Sequence, residues 1–274
     1  MEWSKIKNIV IIILLCVNIA LLGLVAVREN RQAQFAAETW AGAVITLERS
    51  GISFQAEQPP LEIGLIPLNF TRDREGELAA AERLLGPLEE AADSSPVRTL
   101  YTGPGGTAEF SISGEFTLQL ASGVRRQGTA DIGEAGAACL EELGFTGRLW
   151  EERPEGSSRY VCTYVQMWAE NPVFSCKAEL VWEGDSLVSV QGRRLAGSTV
   201  PAGGEELLST AGALVRFLAG LNQTGDMCSR IDTMSAGYLM TGSRPVQLIP
   251  VWFIETDNGG YYLNAVSGEV SLAG

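Results

Sequence analysis

From Ile9 to Val27 the chain runs 19 residues without a charge, broken only by Asn18, with Cys16 and Gly23 as small side chains. As a helix at ~1.5 Å per residue this run reaches about 28 Å, close to the hydrocarbon thickness of a bilayer. Lys5 and Lys7 precede it, and Arg28 and Arg31 follow it. A cleaved signal peptide has an apolar core of roughly 7–15 residues followed by small residues at the cut. This run is longer and ends in Val-Ala-Val-Arg. Leu14 and Leu15 stand where small residues would precede a lipidated Cys16. The pattern therefore predicts an uncleaved signal-anchor: a short tail over 1–8, a transmembrane helix over 9–27, and a large part beyond.

Beyond the span the periodicity stays helical. Phe35, Trp40, Val44 and Leu47 mark a stalk over Arg31 to Arg49, which Gly51 would cap. Gln58-Pro59-Pro60 is a break. Leu61 to Thr71 reads as a strand, placed at an edge by Pro67. Gly76 to Ala92 reads as a helix. Arg98 to Thr102, Ala108 to Ser113 and Phe116 to Ala121 alternate apolar and polar positions, as strands with one buried face do.

The second half repeats an order of elements. A helix over Ile132 to Leu143 precedes strands around Arg148–Glu152, Tyr160–Trp168, Val173–Trp182 and Leu187–Arg194. A helix over Glu205 to Leu221 precedes strands around Arg230–Met240, Val246–Thr256 and Tyr261–Ala265. Asn171-Pro172, Gly184-Asp185 and Asn258-Gly259-Gly260 read as turns. A one-sided antiparallel sheet needs a cover, and each helix supplies one. The fold class expected is α+β: a stalk helix and first α+β domain over 28–129, then helix-plus-sheet units over 130–202 and 203–274.

Charge and composition narrow the chemistry. With 33 acidic against 20 basic residues the net charge is -13. Residues 1–8 carry one net positive charge, so the remainder stands at -14. Such a surface does not suit nucleic acid, which is bound through a basic stripe. There is no histidine, which excludes Ser-His-Asp and Cys-His nucleophile pairs and imidazole-bound metals. No catalytic residue, metal site or cofactor is expected. Glu89-Glu90, Glu141-Glu142, Glu151-Glu152 and Glu205-Glu206 are read as solvated faces rather than a glycosidase acid and base. Lys177 has no serine at SxxK spacing, and the glycines of Gly103 to Gly106 lack the Lys-Ser/Thr of a phosphate loop.

Cys139, Cys162, Cys176 and Cys228 lie beyond the span, and four cysteines admit three pairings. Cys162 and Cys176 fall on two strands of one expected hairpin, which leaves both a cross-strand bridge and small buried side chains open. In the terminal hairpin, Trp252, Ile254 and Thr256 share one face and Val251, Phe253 and Glu255 the other. Pro250 suits a strand's edge or start. Tyr261 and Tyr262 begin the return strand, Asn264 would bond its local backbone, and Gly268 would take a positive φ. These residues are expected to be structural, with a peptide-binding aromatic groove as the alternative.

The opening MEWSKIKNIVIIILLCVNIALL resembles the start of YycI-type membrane proteins of Gram-positive bacteria. YVQMWAENPVFSCKAELVWEGDSLVSVQGRRL resembles their middle unit. LIPVWFIETDNGGYYLNAVSGEV is similar to the last hairpin of the YycH and YycI group, whose domains are related to PepSY modules. The resemblance covers nearly the whole chain but is loose over 60–130. It implies a non-enzymatic regulator of the WalK-WalR two-component system, which governs cell-wall metabolism. The implied partners are a WalK-like sensor histidine kinase, a YycH-like sister protein and the membrane itself.

In the span, Cys16, Ala20 and Gly23 fall within about 60° of one another at ~100° per residue. This narrow stripe lets another helix approach, while Asn18, roughly 200° from Cys16, would hydrogen-bond across to a second helix for something like 0.6–2 kcal/mol. The two faces suit a three-way complex with the kinase helix and the sister protein's helix. Two basic residues flank each end, so the positive-inside rule decides little. The short first tail places the N-terminus in the cytoplasm and the acidic C-terminal part outside, on a single-pass cell-membrane protein. The alternative function is a PepSY-like binding or inhibitory module for a secreted peptidase or a wall-derived ligand.

Overall fold

The apolar run and the amphipathic stretch after it form one unbroken helix, α1 (Glu2–Arg49). With 48 residues it is about 72 Å long. It ends where Gly51 takes φ +89, a left-handed position that glycine adopts without penalty. There Gly51 N donates to Glu48 O, and Ile52 N reaches back to Leu47 O. The computed structural model describes residues 2–61, 63–89, 93–95, 97–121, 123, 125, 127–128, 131–204, 206–242 and 246–273. Residues 90–92, at the expected end of one helix, lie outside these, as do Glu90 and Glu205 of the carboxylate pairs.

After α1 come β1 (Ser53–Phe54), β2 (Leu68–Arg72), α2 (Arg74–Leu85), β3 (Asp93–Ser94), β4 (Arg98–Gly103), β5 (Gly106–Ser111) and β6 (Glu115–Leu120). The chain continues through α3 (Ile132–Glu142), β7 (Gly147–Pro154), β8 (Arg159–Trp168), β9 (Asn171–Glu183), β10 (Ser186–Arg193) and β11 (Gly197–Pro201). It closes with α4 (Thr210–Thr224), β12 (Arg230–Thr241), β13 (Val246–Thr256), β14 (Gly259–Asn264) and β15 (Val270–Leu272). The fold is mixed α+β: a long apolar N-terminal helix, then a large mainly antiparallel sheet with further helices.

A helix followed by a four-stranded antiparallel meander occurs twice, as α3 with β7 to β10 and α4 with β12 to β15. The meanders join where β12 meets β9 in parallel, Tyr238 beside Val173. On the far side of β10, β6 extends the sheet through β5 and β4, while β2 and β11 extend it past β13.

Alternation along the strands sends one set of side chains into the core, in three clusters. Phe110, Leu118, Tyr164, Leu180 and Trp182 pack under α2 and α3. Trp252, Ile254, Tyr261 and Leu263 pack under α4 and the end of α1. Val173, Cys176, Tyr238, Met240 and Leu248 form a third cluster, where β9 and β12 meet. The helices thus share one face of the sheet, as an antiparallel sheet permits. Tyr164 Oη donates to Gly133 O at 2.8 Å and pins the first turn of α3 to β8.

Several local expectations are corrected. The strand expected over Leu61 to Thr71 is only Leu68–Arg72, and it lies between β11 and β13 rather than at an edge. Prolines 59, 60 and 67 lack the amide hydrogen of a ladder, so pairing starts only after Pro67. The helix expected from Gly76 starts at Arg74, where Asp73 Oδ1 accepts from Gly76 N at 3.1 Å, and it stops at Gly86-Pro87. The helix expected from Glu205 starts at Thr210, because Ser209 caps it through Gly212 N at 3.1 Å. The turn expected at Asn171-Pro172 is instead Ala169-Glu170, both at positive φ (46° and 67°), and Asn171 already belongs to β9. β1, β3, β11 and β15 are additional strands that the sequence pattern does not predict.

The open question of the cysteines is also answered. All five are free. Cys162 stands opposite Leu180, not Cys176. That offset of four residues is about 13 Å along a strand, whereas a disulfide needs Cα atoms within about 7 Å.

Candidate functional site

The free part of α1 is an apolar surface with nothing packed on it. Ile13, Leu14, Leu15, Ile19, Leu22, Leu24 and Val27 are each more than half exposed. Among the described residues α1 is the one helix long and apolar enough to cross a membrane, with mean hydropathy 1.7. Cys16, Asn18, Ala20 and Gly23 all lie on this free part and are exposed.

The other end of the same helix is built into the core. Trp40, Ala43 and Leu47 are buried against α4 and the terminal strands, with Leu47 only 1% exposed. Trp40 meets the Phe54 ring edge-on at 5.2 Å. No linker separates the apolar segment from the folded part. Continued down the helix at ~100° per residue, the buried stripe of Trp40, Ala43 and Leu47 comes round above Asn18, while Cys16, Ala20 and Gly23 face roughly the opposite way. Asn18 and the small stripe thus lie on opposite sides of α1, with Asn18 in line with the buried stripe.

Where α1 emerges, a groove of about 620 Å³ runs between its flank and the start of α4. Leu24, Val27, Arg28, Arg31 and Phe35 line it from the helix, and Leu61, Ser209 and Ala211 from the folded part. Reading the sequence did not single out this groove. The signal was present in Phe35, an aromatic four residues beyond Arg31 that does not share the buried stripe of Trp40 and Leu47.

The terminal hairpin divides between core and open face. Pro250, Trp252 and Tyr261 are buried, and Tyr262 and Asn264 are half-buried. Pro250 is inside β13, not at its edge or start. Its missing donor falls where β13 changes partners, between Leu248 paired to β2 and Val251 paired to β14. Its carbonyl accepts from Ala265 N at 2.9 Å. Asn264 Oδ1 accepts from Val266 N and Ser267 N at 2.8 and 3.1 Å. Gly268 sits at φ +76 beside the Arg216 side chain.

On the uncovered face, Trp150, Phe174, Phe253 and Tyr262 form an aromatic cluster, with Phe174 5.2 Å from Phe253 and 5.7 Å from Tyr262. Lys177 Nζ lies 5.6 Å from the centre of the Trp150 ring. Phe174 reaches this face because β9 bulges between its pairings at Lys177 and Val173. Gly237 leaves room beneath it, since any Cβ there would meet the Pro172 carbonyl and the Phe174 ring. The sequence reading placed Phe253 and Tyr262 but not Trp150 and Phe174, whose approach depends on that bulge.

Burial pushes the Cys139 and Cys162 thiols up to about 11 and Cys176 up to about 12. These thiols stay protonated at neutral pH, unlike reactive cysteines. Glu142 of the paired carboxylates is held by Arg125 at 2.6 Å.

No protein-family model matches the sequence, and no curated protein does. Among solved structures, an uncharacterized protein from Eubacterium rectale ATCC 33656 is similar with a TM-score of 0.43 at 9% identity, over 82% of this chain and 91% of its own. The Bacillus megaterium YpeB C-terminal domain is similar with a TM-score of 0.37 at 10% identity, over 74% of this chain and 100% of that domain. Likenesses of this degree carry nothing about activity or partners. The chain is a mixed α+β protein with one candidate membrane-spanning helix, consistent with single-pass anchoring.

Proposed function

We propose that the chain is a non-enzymatic, membrane-anchored extracytoplasmic regulator of a cell-wall-sensing histidine kinase. The observation that carries this reading is the continuity of α1: one helix holds the apolar segment at one end and Trp40 and Leu47 in the core at the other. A tether needs only a flexible joint, whereas a rigid one suits the exchange of position between membrane and outer domain. The partners are a WalK-like kinase and a YycH-like sister protein, met through the membrane helix and the outer domain. The lack of histidine and the protonated buried thiols support a role without catalysis.

The test is to reconstitute the full chain with the kinase in one bilayer and measure autophosphorylation with and without it. A changed rate and co-purification are expected. An unchanged rate with no association would refute the reading.

A second reading, an inhibitory or ligand-binding PepSY-like module, is favoured by the aromatic cluster, where Trp150 is 41% exposed. Replacing residues 9–27 with an unrelated membrane span separates the two. A kinase regulator loses its effect, while a module acting through its outer face on a secreted peptidase or wall fragment keeps it.

A further inference from the structure

The groove beside α1 joins two regions that a bilayer also joins. Its lower wall is Leu24 and Val27, the last turns of the apolar span. Just above them, at the end of the charge-free run, Arg28 and Arg31 line the groove. Phe35 is 71% exposed although it is a large aromatic, and it stands about 6 Å beyond Arg31 along the helix axis. The opposite wall is fixed: Thr210 Oγ1 donates to Pro60 O at 2.6 Å, fastening the start of α4 to the segment that carries Leu61.

We propose that this groove holds the headgroup and glycerol end of an anionic phospholipid from the bilayer that α1 crosses. Its phosphate would lie between Arg28 and Arg31, its upper chain carbons against Leu24 and Val27, and the outer end of its headgroup near Phe35 and Leu61. The volume of about 620 Å³ suits a headgroup with part of the glycerol, not a whole lipid. The outer part of the chain is acidic overall, so anionic lipid is not drawn to it at long range. Charges beyond a Debye length of about 8 Å are largely screened, which leaves the two arginines to decide at contact. This inference rests on α1 spanning a bilayer and not on any contact with a kinase.

The full chain is placed in nanodiscs of phosphatidylcholine alone, of phosphatidylcholine mixed with phosphatidylglycerol, and of phosphatidylcholine with added inorganic phosphate. Amide hydrogen exchange is followed over 206–214. Exchange there should slow several-fold with phosphatidylglycerol and stay unchanged with inorganic phosphate. Arg28→Gln with Arg31→Gln should abolish the difference, and so should Phe35→Asp, whose site is exposed enough to leave the fold intact. Equal exchange in the two lipid compositions overturns the proposal, as does equal protection by inorganic phosphate or an unaltered response in both variants. Resistance to alkaline extraction is scored on each sample. A chain that does not insert refutes the anchor, whereas an inserted chain indifferent to phosphatidylglycerol refutes the lipid site.

Discussion

Glu77 of α2 and Arg194, at the end of β10, meet at 3.7 Å with their side chains only 6% and 3% exposed. Arg194 also donates to the Leu143 carbonyl just past α3 and lies over the Phe110 ring, 4.6 Å from its centre. One cation therefore ties together α2, the end of α3, β5 and β10. Removing one partner of a buried pair strands the other charge, which costs about 3–5 kcal/mol. Glu77→Leu should destabilise the chain by that order, and Glu77→Leu with Arg194→Met should recover most of it. Urea unfolding of the detergent-solubilised chain measures both, and equal losses in the single and double variants would show that the charge itself does not matter.

The thiols predict an alkaline limit. Cys139, Cys162 and Cys176 have folded pKa values raised by burial to about 11, 11 and 12, against 9.0 for a free thiol. A raised folded pKa contributes stability that is complete below the unfolded pKa and is lost as pH climbs through the folded one. Between pH 9 and about 11 each thiol should therefore remove roughly 1.4 kcal/mol per pH unit. Substituting all three with Ala or Val should flatten this part of the pH–stability curve.

The helix faces make a separable prediction about association. Ala20→Leu with Gly23→Leu fills the small stripe opposite Asn18 and should abolish co-purification with the proposed kinase partner. Asn18→Leu alters the side in line with Trp40 and Leu47 and should have the smaller effect. Both remain apolar enough to insert, so binding like the parent's in both would leave recognition to the outer domain.

Topology has a direct assay. Protease added to intact, wall-stripped cells should degrade everything beyond about Arg28. A protected C-terminal part, or a mature chain released without its first 27 residues, would contradict a retained anchor with its large part outside.

The tight turn between β8 and β9 places Ala169 and Glu170 at positive φ, where non-glycine residues carry a penalty of roughly 1–2 kcal/mol each. Ala169→Asn with Glu170→Gly should raise stability by about 1–2 kcal/mol, since Asn-Gly suits a two-residue hairpin turn. Unchanged thermal unfolding would show that the two left-handed residues carry no such penalty in this turn.

What could be read in advance followed local chemistry. The charge-free run, the alternation through Phe116, Leu118 and Leu120, and Gly51 at the helix end each depend on near neighbours. What was missed depends on distant partners. β11 is a strand because Gly197 to Pro201 lies along Arg72 to Leu68, a pairing that its own five residues do not announce. Pro250 sits inside β13 because β2 and β14 leave a gap beside it. Trp150 and Phe174 come together only through a bulge, and the groove exists only because Ser209 and Leu61 arrive beside α1.

With α1 crossing a bilayer as proposed, its fusion to the core would make the molecule a lever with its fulcrum in the membrane. From Asn18, the middle of the apolar run, to Leu47 is about 43 Å along a helix axis. A tilt of ~10° within the membrane would swing the outer sheet sideways by about 8 Å on that arm. With Trp40 wedged against Phe54, little of that displacement is absorbed at the joint. Small rearrangements among neighbouring membrane helices would thus reach the outer surface as shifts the size of a side chain.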